Sequence, residues 1–460
     1  LSLHMADRSL PLTIQHPSQP PIEWSVGMGY RRIKTATILG SLWLGVAALH
    51  LISWGYIIAW AIASVFCWRA FRLVATKIAP PPLFVPPPTY PFISLAIAAK
   101  NEAAVIANVV ANLCSLDYPA DRYEVWAIDD NSSDRTPEIL DELATQYPQL
   151  QVLHRTDLDT GGKSGALNQV LTLMQGDLIG VFDADARVAP DFLNQVLAYF
   201  QNETVGAIQL RKSITNSDTN LLTRGQRAEM ALDAYLQQQR THSGGIGELR
   251  GNGQFVRRTA LAACDGWNEE TITDDLDLTI RLHLTGWDIA LMSDPPVGEE
   301  GVTTVKALWH QRNRWAEGGF QRYLDYWEPI ASNRMGTKKT IDLLSFLSIQ
   351  YLLPPAGIPD FLMAFWLKHP PLLLPMTASL GIALPLWGIW VGLQRSYRQA
   401  DAHALTRENH PVSWVTLFKQ TAIGSLFILH WLIVMPLAIA RMAILPKRLK
   451  WVKTLRQADL

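Results

Sequence analysis

From Thr35 to Trp68 the chain contains no Asp, Glu, Lys or Arg, and a charge-free run of that length is at home only in apolar surroundings. About 20 apolar residues suffice for a helix to span a bilayer, whereas a buried core helix uses fewer. Comparable runs recur at Ile341–Trp366, interrupted by Asp342 and Asp360, at Pro371–Leu393 and at Thr421–Ala440. The chain is therefore expected to have membrane segments at both ends (35–79 and 341–446) and a soluble domain between them, where most of the acids lie.

Charge around these runs suggests their orientation. Arg31, Arg32 and Lys34 precede the first run, and Arg69, Arg72 and Lys77 follow it. Basic flanks mark the cytoplasmic side, so residues 35–79 read as a hairpin turning near Ser53-Trp54-Gly55, although two full spans would be short there; a single tilted helix is the alternative. Arg395, Arg398 and Arg407 put one C-terminal loop on the same side. Bases flank the last run at both ends, including Lys447, Arg448 and Lys450 in the 447–460 tail. That pattern leaves a crossing, a short hairpin and a re-entrant segment open. Residues 1–34, with Pro17, Pro20 and Pro21, are expected to be a mobile tail, and 80–91, with seven prolines, a stiff linker.

A formal net charge of -1 argues against a nucleic-acid partner. Three widely spaced cysteines, Cys67, Cys114 and Cys264, imply neither a disulfide framework nor a zinc site and fit a reducing cytosolic compartment.

From Phe92 strands and helices alternate. Strands are expected at Phe92–Ala98, Tyr123–Ile128, Gln151–His154, Leu178–Phe182, Val205–Leu210 and Trp287–Met292. Such alternation predicts an α/β domain over 92–303 with a mostly parallel sheet covered on both faces, and ligands at the carboxyl ends of strands.

The suspicious polar clusters fall at those ends. Asp183 and Asp185 follow the apolar run Leu178–Phe182; alternation along a strand would aim both carboxylates to one side. Two hard oxygen ligands suit a magnesium or manganese ion completed by water and nucleotide phosphates, and the same pattern also builds an ordinary turn. Asp129-Asp130 could accept hydrogen bonds from a base or ribose, or simply shape a turn. Lys163 follows Gly161-Gly162 at a helix start, which makes it a candidate anion contact or a solvated lysine. Gly251-Asn252-Gly253-Gln254 reads as a tight, backbone-accessible loop. Asp274, Asp275 and Asp277 crowd another helix start, where electrostatics favour acids; crowding also raises one carboxyl pKa, as a general base requires. Gln311, Arg314 and Trp315 share a helix face within 304–340, a segment of mixed aromatics and arginines expected to lie amphipathically in the headgroup layer.

Taken in order, Asn101-Glu102, Asp129-Asp130, Lys163 with Gly165-Ala166-Leu167-Asn168, Asp183-x-Asp185, Thr273-Asp274-Asp275 and Gln311-x-x-Arg314-Trp315 resemble the membrane-embedded inverting glycosyltransferases related to cellulose, chitin and hyaluronan synthases. The resemblance covers about residues 92–327, and Gln-x-x-Arg-Trp is its most specific part. It implies a GT-A type fold and a UDP-sugar donor. The donor would be held by Asn101, Glu102, Asp129 or Asp130, Lys163, Asp183, Asp185, Gln311, Arg314 and Trp315. Asp183 and Asp185 would also hold Mg2+ or Mn2+, and Asp275 would be the base. Gly253, Gln254, Asp274 and Trp315 would line the acceptor side. The chain departs from the family in having Asp274 where Glu is usual. Likeness to the members that glucosylate a lipid implies UDP-glucose and diacylglycerol as substrates, in an integral membrane protein with its catalytic domain on the cytosolic side. A processive polysaccharide synthase and a non-catalytic UDP-sugar or lipid binder are the alternatives.

Overall fold

The computed structural model describes residues 22, 24, 29–403 and 413–445. Most of the expected N-terminal tail, Arg407 and the basic 447–460 tail lie outside the described residues.

Seven strands form one sheet: β1 (Ile93–Ala99), β2 (Tyr123–Asp129), β3 (Leu150–His154), β4 (Leu178–Phe182), β5 (Val205–Ile214), β6 (Gln254–Arg257) and β7 (Asp288–Glu299), in the order β3-β2-β1-β4-β6-β5-β7. Only β6 runs antiparallel to its neighbours. Side chains alternate between two apolar cores. Leu95 and Ile97 of β1 enter one with Phe182 and Phe192, while Ala96 enters the other with Val181, Leu167 and Leu278. Ala99 is level with Asp129, and Asp129 with His154, so the loops after β1, β2, β3 and β4 emerge along one edge. Because β6 is reversed, its beginning reaches that same edge: Gln254 pairs with Val181 near the end of β4.

Among the described residues, five helices are long and apolar enough to cross a membrane: Arg31–Leu51, Gly55–Val74, Thr337–Leu367, Leu374–Gln399 and Trp414–Ile444. The first two, of 21 and 20 residues, take in their basic flanks, so each reaches about 30 Å at a rise of 1.5 Å per residue, the thickness of a hydrocarbon core. A β-carbon on Gly55 would fall 1.8 Å from the Leu49 carbonyl oxygen, so the tight bend between these helices requires glycine there. Two of the C-terminal helices contain π-helical turns, at Leu347–Leu352 and Thr377–Ala383.

The last described helix is one piece, not a hairpin, and it lies against the sheet domain and its flanking helices for much of its length. Gly424 abuts Ala228, Phe427 abuts Gly225, Trp431 Nε1 donates to Glu229 at 2.7 Å, and Arg441 pairs with Glu317. Gly424 and Arg441 are about 26 Å apart along the helix axis. A helix leaving the domain perpendicularly would lose such contacts within a turn or two.

The Gln-x-x-Arg-Trp helix, Val305–Asp325, differs from the expected surface amphipath. Residues 316–325 are buried on every side, between the Asp274–Leu284 helix and the helices Arg31–Leu51 and Trp414–Ile444. Its polar side chains are accommodated by pairing: Asp325 takes Arg31 at 2.6 and 2.7 Å, Arg312 takes Glu229, and Arg322 takes Glu248 at 2.9 Å.

Glu248 is wholly buried, and Arg250 at 2.7 Å, Arg322 at 2.9 Å and Arg240 at 3.5 Å surround it. Burial alone would raise its pKa; the three guanidiniums overcome that and hold the carboxylate ionised well below the usual range. Arg240 continues to Asp342 at 2.9 Å and Arg250 to Asp233 at 2.8 Å. Removing one member of a buried ion network leaves its partners uncompensated, at a cost of about 3–5 kcal/mol. Glu248→Leu should therefore lower the thermal midpoint of the detergent-solubilised protein by several degrees, whereas Glu203→Leu, at the surface, should leave it within a degree; melting curves of the two variants check this.

Candidate active site

The sheet edge forms one wall of a cavity of about 1250 Å³. Asp183 and Asp185 both line it, but not through strand alternation. β4 ends at Phe182, and 183–186 make a turn closed by Ala186 N donating to the Asp183 carbonyl at 3.0 Å. The turn itself aims both carboxylates inward. Lys163, in the first turn of the Gly162–Leu171 helix, extends across to Asp183 Oδ1 at 2.8 Å. Burial would lower the Lys163 pKa; Asp183, Asp274 and Asp275 raise it above its ordinary value.

Asp274 and Asp275 open the helix Asp274–Leu284 and both face the cavity. Asp275 Oδ1 accepts from Leu276 N at 2.8 Å, and a β-carbon on Gly251 would lie 3.3 Å from Oδ2. Gly251 has φ +81°, so glycine is required there both for backbone shape and for the open approach to this carboxylate. Burial first, then the charge of Asp274, raises the Asp275 pKa to about 6, against the opposing pull of Leu276 N, Lys212 and Lys163. Asp277 turns away into the protein, bound to Arg281 at 2.7 Å and Tyr326 at 2.8 Å.

Gln311, Arg314 and Trp315 share the cavity-facing side of their helix. Trp315 is backed by the Arg312 guanidinium, 4.1 Å from the ring centre.

Several expected contacts go elsewhere. Asp129 is buried, accepting from Ser132 N at 3.1 Å and facing His154, whereas Asp130 reaches the cavity, held by Arg155 and by Lys100 at 3.6 Å. Consecutive residues at a strand end point to opposite sides, so only one of the pair can serve. Asn101 takes φ +57° and turns its Oδ1 to Ser133 N at 2.7 Å, shaping the loop; its neighbour Glu102 lines the cavity. Gly253 and Gln254 do not line it. Gln254 is fully buried between β4 and β5, and Gly253 packs against Val297. Gly251, two residues earlier, occupies the place expected of them.

Lys212, Glu299 and Glu300 were not expected. Lys212 on β5 pairs with Glu299 at 2.9 Å, and Glu300 N donates to Asp185 Oδ2 at 2.8 Å. Their strand-end position was the only signal available. Burial raises the Glu299 pKa; Lys212 opposes this, and Asp185 and Asp183 add to it. Acids so crowded create a negative potential suited to a cation. Among the described residues no three His, Cys, Asp or Glu side chains converge as a complete metal shell. The donor set thus fits a hard divalent ion whose remaining ligands come from phosphate and water.

The cavity also extends away from the sheet, between the Gly55–Val74 helix and the π-helical turns, where Phe66, Ala70, Ile349, Leu380 and Leu384 form its wall. Ionic and apolar ends therefore share one space.

Residues 88–318 match the family described as glycosyltransferase like family 2. The beta-monoglucosyldiacylglycerol synthase of Synechocystis sp. is 55% identical over 435 residues, covering 93% of this chain and 89% of the relative. The synthase of the same name from Trichormus variabilis is 55% identical over 432 residues, covering 92% and 89%. Among solved structures, the mannosyltransferase PcManGT from Pyrobaculum calidifontis, in complex with GDP-Man and Mn2+, superposes with a TM-score of 0.51 at 21% identity, over 84% of this chain and 99% of that one. At that identity the likeness speaks for the fold, a GT-A-like nucleotide-sugar domain. With a family match over half its length and relatives identical at more than half of the aligned positions, the chain belongs to the family 2 glycosyltransferases.

Proposed function

We propose that this protein is an inverting glucosyltransferase that moves glucose from UDP-glucose to the free hydroxyl of 1,2-diacylglycerol, giving beta-monoglucosyldiacylglycerol. The observation that carries this reading is the single cavity in which Asp275, with its raised pKa, faces Lys163, Asp183 and Arg314 at one end while apolar helices form the other. A donor with a diphosphate suits the ionic end and an acceptor with acyl chains suits the apolar end. The names of the high-identity relatives support the same substrates.

Asp183 and Asp185 would hold Mg2+ or Mn2+, which when bound neutralises the donor diphosphate. The chain's own residues perform the rest. Lys163 and Arg314 offset negative charge as it collects on the departing UDP. Asp130 and Glu102 lie where the nucleoside is expected, and Trp315 offers a flat ring held by Arg312. The acceptor hydroxyl passes its proton to the Asp275 carboxylate as its oxygen bonds to the anomeric carbon, and the bond from that carbon to the diphosphate breaks on the opposite face. One displacement inverts the centre, so an α-linked donor yields a β-linked product.

The five apolar helices among the described residues support placement in a membrane, and the basic flanks support a cytosolic catalytic domain. The last described helix, held along the domain, would lie in the interface.

The test is purified protein with UDP-glucose and dioleoylglycerol, followed by mass spectrometry of the lipid product. Polymer, or no glucosylated lipid, would overturn the reading. Asp275→Asn should lower turnover by about 10²–10⁴-fold, the usual worth of a general base, with UDP affinity by calorimetry unchanged. Asp183→Asn with Asp185→Asn should abolish the Mg2+ dependence of UDP binding in the same calorimeter. A base must be ionised to work, so kcat/KM should fall as pH drops through about 6. Asp274→Asn removes the neighbouring negative charge and should move that limb to lower pH; Lys212→Met should move it higher.

A further inference from the structure

Arg69 sits on the apolar helix Gly55–Val74, a turn and a half before its end, and lines the cavity. Arg69 belongs to the basic flank of that helix, but an ionisable side chain turned into a cavity rather than out to water is a candidate ligand contact. Among the described residues it has no partner: Nε is buried without a hydrogen bond, and the remaining nitrogens make no hydrogen bond or ion pair. Gln350 is a second polar group without a partner on the same cavity, placed in the π-helical turn Leu347–Leu352. Their chain neighbours Ala70 and Ile349 pack into one apolar cluster with Leu380 and Leu384. Arg69 and Gln350 therefore line the same cavity as Asp275, from two different helices that meet at one apolar cluster. π-Helical turns are uncommon and recur at functional sites. This one presents an amide to the space a lipid would fill.

Both side chains supply N–H donors. A diacylglycerol whose hydroxyl is at Asp275 and whose chains lie among the apolar helices must leave two ester carbonyls a few bonds from that hydroxyl. These carbonyls are acceptors only, and out of water they need donors. A glucose unit or a growing polysaccharide would bring hydroxyls instead, for which an apolar wall with two donors is a poor match.

We propose, resting on the lipid-acceptor reading above, that Arg69 and Gln350 form an ester-binding subsite that positions the acceptor and makes the enzyme selective for diacyl over dialkyl glycerolipids. A site that donates to a substrate carbonyl rejects an analogue lacking it, because its own buried donors are then left unpaired.

The experiment compares dioleoylglycerol with dioleylglycerol, the ether analogue of equal chain length, as acceptors in mixed micelles with UDP-glucose. The wild type should favour the diester by tenfold or more in kcat/KM. Arg69→Leu with Gln350→Leu should bring the two acceptors within about twofold, mainly through KM for the diester, while UDP affinity is unchanged. Arg69→Lys, which keeps a donor, should recover part of the preference. The selectivity ratio is internal to each variant, so partial misfolding does not move it. If the wild type glucosylates both lipids equally, or the double variant keeps the preference, the subsite is wrong and lipid transfer stands. If the wild type glucosylates neither lipid, both proposals fall together.

Discussion

Glu248 is a single carboxylate with no access to water, and three arginines converge on it. Taking charges out of solvent costs several kcal/mol per ion, recovered only when every partner is in place. The partners come from three parts of the chain: Arg240 from the Leu221–His242 helix, Arg250 from the loop before β6, and Arg322 from the helix that carries Gln311, Arg314 and Trp315. Arg240 also holds Asp342, at the root of an apolar helix. The sheet domain, the helix that carries Gln311, Arg314 and Trp315, and the apolar helices are thereby fixed to one another by an interaction that cannot be half made.

Around that fixed frame the sheet does the gathering. Parallel register brings Asp130 and Asp183 to one edge, and the reversal of β6 adds Gly251 from the opposite chain direction. β5 and β7 bring Lys212 and Glu299, whose registers place them past the same edge. Lys163 and Lys212 offset only part of the negative charge of Asp183, Asp185, Asp274, Asp275 and Glu299, and burial with Asp274 alongside raises the Asp275 pKa to about 6.

Much of this was legible in the sequence because it is local. Asp183 and Asp185, Lys163 after its glycines, Asp274 and Asp275, and Gln311, Arg314 and Trp315 are short patterns, and all reach the cavity. The errors have physical causes. Asp129 and Asp130 cannot be told apart without the register that decides which faces in. Gly253 and Gln254 were displaced by two residues because β6 begins there, and a strand buried between two others has no exposed side chain to offer. The helix 305–325 looked like a surface element because its charges were counted as solvated. Their partners, Arg31, Glu229, Glu248 and Arg441, lie tens or hundreds of residues away, and no local pattern reveals such pairs. Glu248 itself carries no motif, so its importance is visible only in three dimensions.

The last described helix contributes Trp431, Leu432 and Met435 to the cavity wall and ties Trp431 to Glu229, the partner of Arg312 beneath Trp315. These residues leave the ribosome well after the seven strands have been made, and chains fold in that order. The cavity therefore lacks a side until this helix docks, which makes completion of the site a late event in biogenesis, after the sheet that carries Asp130 and Asp183 has already formed.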